Sequence, residues 1–247
     1  MPLLSRKDLV KYFAEMMVVV FGILIAFQVE EWRQDVREQR EIDAALVRLK
    51  DETKDNLRFC ERSVPMSAMQ ARLVQVVLQS LQAGRLLESD RSQFESGLVK
   101  LGWVVSPPYQ STVAEEMIST GLLKELDQAD LRSIIARIPG SVEASQRSFN
   151  VMRGIREEPR EELRKLVEYR YEGSFDLMEM EGGRGGSSAF EDATKVIYDF
   201  PKLVDATYFR NLVVVAANVQ VEIYGINQRI CNFFEDINAQ LTDQGYL

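Results

Sequence analysis

Apolar residues dominate the chain over residues 9–29, and residues 16–27 contain no charged side chain. About 20 helical residues cross the hydrocarbon core of a bilayer, which is roughly 30 Å thick. Residues 9–29 therefore predict one N-terminal transmembrane helix, provided that Lys11 and Glu15 lie near one interface.

A cleaved signal peptide is the alternative interpretation, because Arg6, Lys7 and Lys11 resemble a basic n-region. No Ala-x-Ala cleavage site follows, and the helical pattern continues, which favours an uncleaved anchor. Lys and Arg score similarly on the two flanks, but the short basic tail, residues 1–8, favours a cytoplasmic N-terminus. The body is then expected in the periplasm, with the anchor in the inner membrane.

Helical periodicity continues beyond this segment. Between Gly22 and Pro65 the chain has no proline and no further glycine, and core-type positions, apolar except for one threonine, recur mostly every three or four residues. These positions are Val29, Trp32, Val36, Ile42, Leu46, Leu49, Thr53, Leu57 and Cys60. The spacing is close to that of a coiled-coil heptad and predicts a stalk helix over residues 30–64. Residues 63–65 are expected to break it, and the next helix is expected to stop at Gly84.

Residues 65–247 predict a helical bundle domain. The last helix has the most regular pattern, with Phe209, Leu212, Ala216, Val219, Ile223, Ile226, Ile230, Phe233 and Ile237. Helical spacing also continues across Pro139 and Gly140, where we expect a kink or a short break. The glycine-rich residues 173–188 predict a flexible loop. No convincing strand alternation is present, so the predicted fold class is all-α, with one N-terminal transmembrane helix, a stalk helix and an elongated helical bundle.

Small residues in the anchor suggest contact between membrane helices. Ala14, Gly22 and Ala26 lie at multiples of four residues, so they share one helix face, and Gly22 and Ala26 form a small-xxx-small pair. Such a face lets two helix backbones approach closely in lipid. The alternative is that these residues have no such role, since Gly and Ala are frequent in membrane spans.

Polar residues mark the ends of the predicted span. Glu15 is a candidate intramembrane polar site, or else an interfacial carboxylate that pairs with Lys11. Gln28 and Trp32 are expected at the opposite interface, because Trp prefers that depth in a bilayer.

A non-helical connector is predicted over residues 102–112, where the sequence reads "GWVVSPPYQST". Trp103 and Tyr109 are the large side chains of this stretch. They are candidates for contact with a partner, and the alternative is that they fill one end of the bundle.

The composition of the chain limits the partners and reactions that we expect of it. The net charge of −8 makes a nucleic-acid partner unexpected, because such binding depends on Lys and Arg. The chain has no histidine, which removes the commonest general base and metal ligand. We therefore expect no enzyme activity, no metal and no cofactor. Cys60 and Cys231 form no metal-binding or redox spacing; they either pair in a periplasmic domain or remain buried thiols.

Two stretches resemble a family of bacterial single-span membrane proteins of unknown function. The first is "VVVFGILIAFQVEEWRQ", and the second is "STVAEEMISTGLLKELDQADLRSIIARI". In the second stretch, family members often have a glycine followed by apolar residues, then an acid and Leu-Arg-x-x-Ile. The residues of this chain that occupy places in that segment are Glu116, Gly121, Leu122, Leu131, Arg132 and Ile135. Glu30 and Glu31 depart from the Asn-Asn that is usual before the Trp. The resemblance implies the topology of an anchored helical body and implies no activity.

These observations favour a single-pass, membrane-anchored helical scaffold or an accessory subunit of a larger inner-membrane complex. Its expected partners are membrane lipid and either other membrane subunits or further copies of itself. Two alternatives remain open. One is a periplasmic ligand sensor that relays movement through the stalk, and the other is an ion-coupled assembly that uses Glu15.

Overall fold

The computed structural model describes residues 6–172 and 194–243, with side chains described from residue 16 onward. It is mostly helical, which confirms the predicted predominance of helix. The helices are α1 (Arg6–Ala83), α2 (Arg91–Val99), α3 (Thr112–Thr120), α4 (Ala129–Ile155), α5 (Glu157–Leu166), α6 (Phe200–Asp205) and α7 (Thr207–Asp243). A 3₁₀ turn, Glu88–Asp90, precedes α2, and two strands, β1 (Val167–Tyr171) and β2 (Thr194–Tyr198), complete the described elements.

Helix α1 is continuous over 78 residues, so the predicted break at residues 63–65 is wrong. Pro65 lies inside the helix, where it removes one backbone hydrogen bond and costs about 3 kcal/mol in isolation. Ser63 and Ser67 on either side of it are nevertheless buried, because the packed face of the helix continues past the proline. The helix ends where predicted, at Gly84, whose φ of +63° suits a residue without a side chain.

The second half of α1 packs antiparallel against α7. Residues 42–60 of α1 share one hydrophobic cluster with residues 219–241 of α7, and residues 74–81 share a second with residues 209–216. Helices α3 and α4 complete the first cluster, and α2, α5, α6 and β2 complete the second. The bundle therefore begins at Ile42, and the predicted division at residue 65 runs through a packed helix.

A two-stranded antiparallel hairpin was not expected from the sequence. β1 pairs with β2, with Val167 opposite Tyr198 and Tyr171 opposite Thr194. Val196 lies in the second hydrophobic cluster, which ties the hairpin to the bundle. The predicted loop at residues 173–188 lies outside the described residues.

The sequence predicts either a kink or a short break at Pro139 and Gly140. Helix α4 continues through both residues, so there is no break. Its apolar face stays buried on both sides of the proline, at Ile135, Ile138 and Val142. Packing again outweighs the local preference of proline to end a helix.

A close approach between α1 and α2 makes a glycine necessary. A Cβ atom on Gly97 would lie 2.6 Å from the Leu73 carbonyl oxygen and 2.6 Å from Val77 Cγ2. We predict that Gly97→Ala lowers the free energy of unfolding by about 1–3 kcal/mol, because the two helices must separate. Denaturant unfolding followed by circular dichroism in detergent measures this change.

Gly140→Ala is the matched control. No atom lies within 4 Å of a Cβ built at Gly140, and alanine is the better helix former, so this variant should gain about 0.5–1 kcal/mol. Equal effects of the two substitutions would contradict the close contact at Gly97.

Candidate functional site on the first helix

The first described part of α1 exposes an unusually apolar surface. Every residue from 16 to 29 except Met17 is exposed, and Val18 and Phe27 expose 73% and 68% of their surface. Successive helical residues are rotated by about 100°, so these side chains cover all sides of the helix. We call residues 16–29 the exposed apolar segment. A contiguous apolar surface of this kind marks a membrane or partner interface.

Among the described residues, no helix combines the length and the apolarity needed to span a membrane.

Two of the predicted site residues, Ala14 and Glu15, have side chains outside the described residues, so their roles stay predictions. Gly22 and Ala26 lie on the exposed apolar segment, and no atom comes within 4 Å of a Cβ built at Gly22. Packing among the described residues therefore does not require glycine at this position. Gln28 is also exposed, and its interfacial role stays a prediction.

The apolar surface changes to a charged one immediately after Val29. Glu30 approaches Arg33 at 4.0 Å and Arg37 at 3.3 Å, and all three side chains are exposed. Exposed ion pairs contribute about 0–1 kcal/mol each, so they give the helix only modest support. Trp32, predicted to lie at a membrane interface, is 65% exposed at this boundary.

The connector between α2 and α3 is held by amide side chains of the surrounding helices. Four of them donate to its carbonyl groups: Asn56 to Gln110 at 2.9 Å, Gln146 to Pro107 at 3.0 Å, Gln220 to Trp103 at 2.6 Å and Asn227 to Val105 at 3.3 Å. The Asn56 side chain also accepts from the Gln110 backbone N–H at 2.9 Å. These bonds replace the backbone pairing that a helix or sheet would supply.

Tyr109 lies inside the bundle, with 6% of its surface exposed. Its hydroxyl group donates to Asn227 Oδ1 at 3.1 Å and lies 3.3 Å from Ser63 Oγ. Burial raises the pKa of the Tyr109 phenol. Trp103, the other candidate for partner contact, is only partly buried, and a partner contact at either residue stays a prediction.

Cys60 and Cys231 form a disulfide that joins α1 to α7, with their Cα atoms 5.7 Å apart. The two residues are separated by 171 positions in the sequence, and both are buried. The Tyr109 hydroxyl lies 3.5 Å from Cys231 Sγ, so the disulfide and the connector share one interior cluster.

The second of the two stretches quoted for the resemblance, residues 111–138, builds one corner of the bundle. Gly121 ends α3 with a φ of +86°, and Leu131 and Ile135 are buried in α4. Arg132 donates to the carbonyl oxygens of Lys124 and Leu126, at 3.2 and 3.1 Å, and so closes the turn between α3 and α4. Glu116 pairs with Arg48 of α1 at 2.8 Å, which places this corner beside the start of the packed part of α1.

No family model, curated protein or solved structure matches the chain at a significant level. Within the part of the chain that the structure describes, no group of three or more acidic, Cys or His side chains is placed to hold a metal ion.

The interior amides at Asn56, Gln220 and Asn227 were not anticipated. The sequence did contain a sign of them. Each is an Asn or Gln at a position where the helical spacing of the apolar residues predicts a buried side chain.

The disulfide should contribute strongly to stability. Replacing both cysteines with serine is predicted to lower the free energy of unfolding by about 2–4 kcal/mol, because the unfolded chain loses a long-range constraint. Denaturant titration of the native and variant proteins measures this difference. Alkylation of unreduced protein followed by mass spectrometry is the control, and two reactive thiols in the native protein would contradict the pairing.

Glu52 should make stability depend on pH. Its carboxylate accepts from the Val113 backbone N–H at 3.2 Å in a buried position. Burial raises its pKa above the ordinary value of 4.5, and the backbone hydrogen bonds from Val113 and Thr112 only partly oppose this effect. The folded state therefore binds the proton more tightly than the unfolded state. The contribution of Glu52 to stability then falls as the pH rises from 4.5 through the raised pKa.

We predict that Glu52→Gln removes this decline and equals or exceeds the native protein in stability at neutral pH. Unfolding curves for both proteins between about pH 4 and pH 8 test the prediction. Glu61→Gln, at an exposed position of the same helix, is the control and should leave the pH dependence unchanged. A native protein that gains stability relative to Glu52→Gln as the pH rises would refute it.

Proposed function

We propose that this chain is a membrane-anchored helical scaffold or an accessory subunit of a larger membrane complex, acting through helix–helix association. Residues 9–29 form the anchor in this proposal, which therefore includes residues that precede the described side chains. The bundle that starts at Ile42 is the folded body that this anchor would hold at the membrane.

The observation that carries the proposal is the exposed apolar segment. Moving one large apolar side chain from water into an apolar environment gains about 1.5–3 kcal/mol. The segment exposes nine large aliphatic or aromatic residues: Val18, Val19, Val20, Phe21, Ile23, Leu24, Ile25, Phe27 and Val29. Leaving them in water would cost on the order of 10 kcal/mol, comparable with the whole stability of a typical domain. Lipid or a protein partner would remove that cost.

The disulfide supports a periplasmic position for the bundle. Disulfides form and persist in oxidising compartments and are rare in the cytosol. With the bundle on the periplasmic side, the basic residues Arg6 and Lys7 would lie on the cytoplasmic side. Both features agree with an inner-membrane protein whose N-terminus is inside.

Helix α1 supplies the mechanical link in this proposal. One uninterrupted helix leads from the exposed apolar segment into the core of the bundle, so no flexible joint separates anchor and body. A rigid connection of this kind holds a bundle at a set distance from a bilayer and suits a scaffold.

A single charge inside the exposed apolar segment should release the protein from the membrane. We predict that Val18→Glu lowers the fraction that resists alkaline carbonate extraction of native membranes, because a carboxylate near the bilayer centre costs several kcal/mol. Val221→Glu is the matched control. It changes a residue that is 61% exposed, but on α7 of the bundle, and should leave the membrane-bound fraction unchanged.

Gentle detergent extraction followed by native sizing then tests the association itself. A particle larger than one chain and one micelle is the expected result. Full release of the native protein by carbonate, or a monomer under all mild conditions, would overturn the proposal.

A further inference from the structure

The part of α1 between the exposed apolar segment and the bundle carries one apolar stripe. Val29, Trp32 and Val36 lie within about 60° of one another on an ideal helix. Val29 and Trp32 expose 49% and 65% of their surface, and Val36 is partly buried. We call these three residues the stalk stripe. The residues around it are mostly charged, so this part of α1 is an amphipathic helix whose apolar side lacks a partner within the described chain.

The stalk stripe faces a different direction from the packed side of the bundle. The buried residues that follow it on α1, from Ile42 to Asn56, point about 120° away around an ideal helix. A helix that packs on the stalk stripe therefore avoids the space taken by α7 and by the corner between α3 and α4.

Charges beside the stalk stripe are complementary to those of an identical helix. With Val29 and Val36 as successive a positions and Trp32 as d, Asp35 is a g position and Arg40 is the next e position. In a parallel in-register pair, Asp35 of each copy faces Arg40 of the other. Neither residue has an ion pair within the described chain. An antiparallel pair would instead bring like charges together.

Two further features favour a parallel dimer. Two copies anchored by the same segment necessarily run in the same direction. Valine at a positions is compatible with a two-stranded coiled coil, in which β-branched residues are preferred at a. Gln39, the next d position, ends the apolar stripe just before α1 enters the bundle at Ile42.

We infer that α1 pairs with α1 of a second copy, parallel and in register, through Val29, Trp32 and Val36, with Asp35 of each copy bound to Arg40 of the other. This inference rests on the proposed function, since it identifies the partner for helix–helix association.

Cysteine cross-linking of the full chain in native membranes tests the pairing. Val36→Cys should form a disulfide-linked dimer under mild oxidation, and so should Val29→Cys. Gln34→Cys is the control, because residue 34 lies on the opposite side of the helix and should not cross-link. The native cysteines do not interfere, since they are bonded to each other.

Exchanging the charges of Asp35 and Arg40 tests whether the partner helix belongs to a second copy of this chain. In the Val36→Cys background, Asp35→Arg should lower the dimer fraction roughly tenfold, because two attractive pairs become repulsive. Adding Arg40→Asp restores opposite charges across a homodimer and should recover the dimer. A loss that the second substitution does not repair would overturn the inference.

The possible failures separate the two claims. Equal cross-linking at residues 34 and 36, or cross-links only to another protein, overturns the pairing while membrane attachment stands. Absence of the protein from the membrane fraction overturns both the pairing and the proposed function.

Discussion

The antiparallel packing of α1 on α7 is the interaction on which the rest of the structure depends. Both hydrophobic clusters draw residues from these two helices, and the shorter elements pack around the pair. The Cys60–Cys231 disulfide joins the helices within this contact. Apolar burial along the pair explains how α1 continues through Pro65, since the gain over many residues exceeds the local cost of one proline.

Helix α1 meets two environments along its length. Over residues 16–29 its side chains are almost all apolar and are exposed around the helix, whereas from Ile42 only one face is buried. Because the helix is continuous, the distance between the apolar region and the packed region is fixed. The proposed function is based on this arrangement. In it, residues 16–29 would be covered by lipid or a partner helix, and the residues from Ile42 onward form the core of a folded bundle.

Long periodic segments could be predicted from the sequence. The stripe on α7 from Phe209 to Ile237 is buried almost throughout, because one face of a long helix must meet the core. The hairpin was missed because each strand has only five residues and its partner is remote in sequence. The amides of Asn56 and Asn227 were missed for a related reason. Their acceptors lie on the connector, which only the folded chain brings near them.

The central claim is that α1 passes from lipid into a protein core without interruption. Spin labels placed singly along residues 16–60 in vesicles would report collision with oxygen, which concentrates in lipid, and with a water-soluble nickel chelate. The account predicts high oxygen accessibility and low nickel accessibility over residues 16–28, and protection with the period of a helix from Ile42 onward. Strong nickel accessibility throughout residues 16–28 would show that this segment lies in water and would contradict the account.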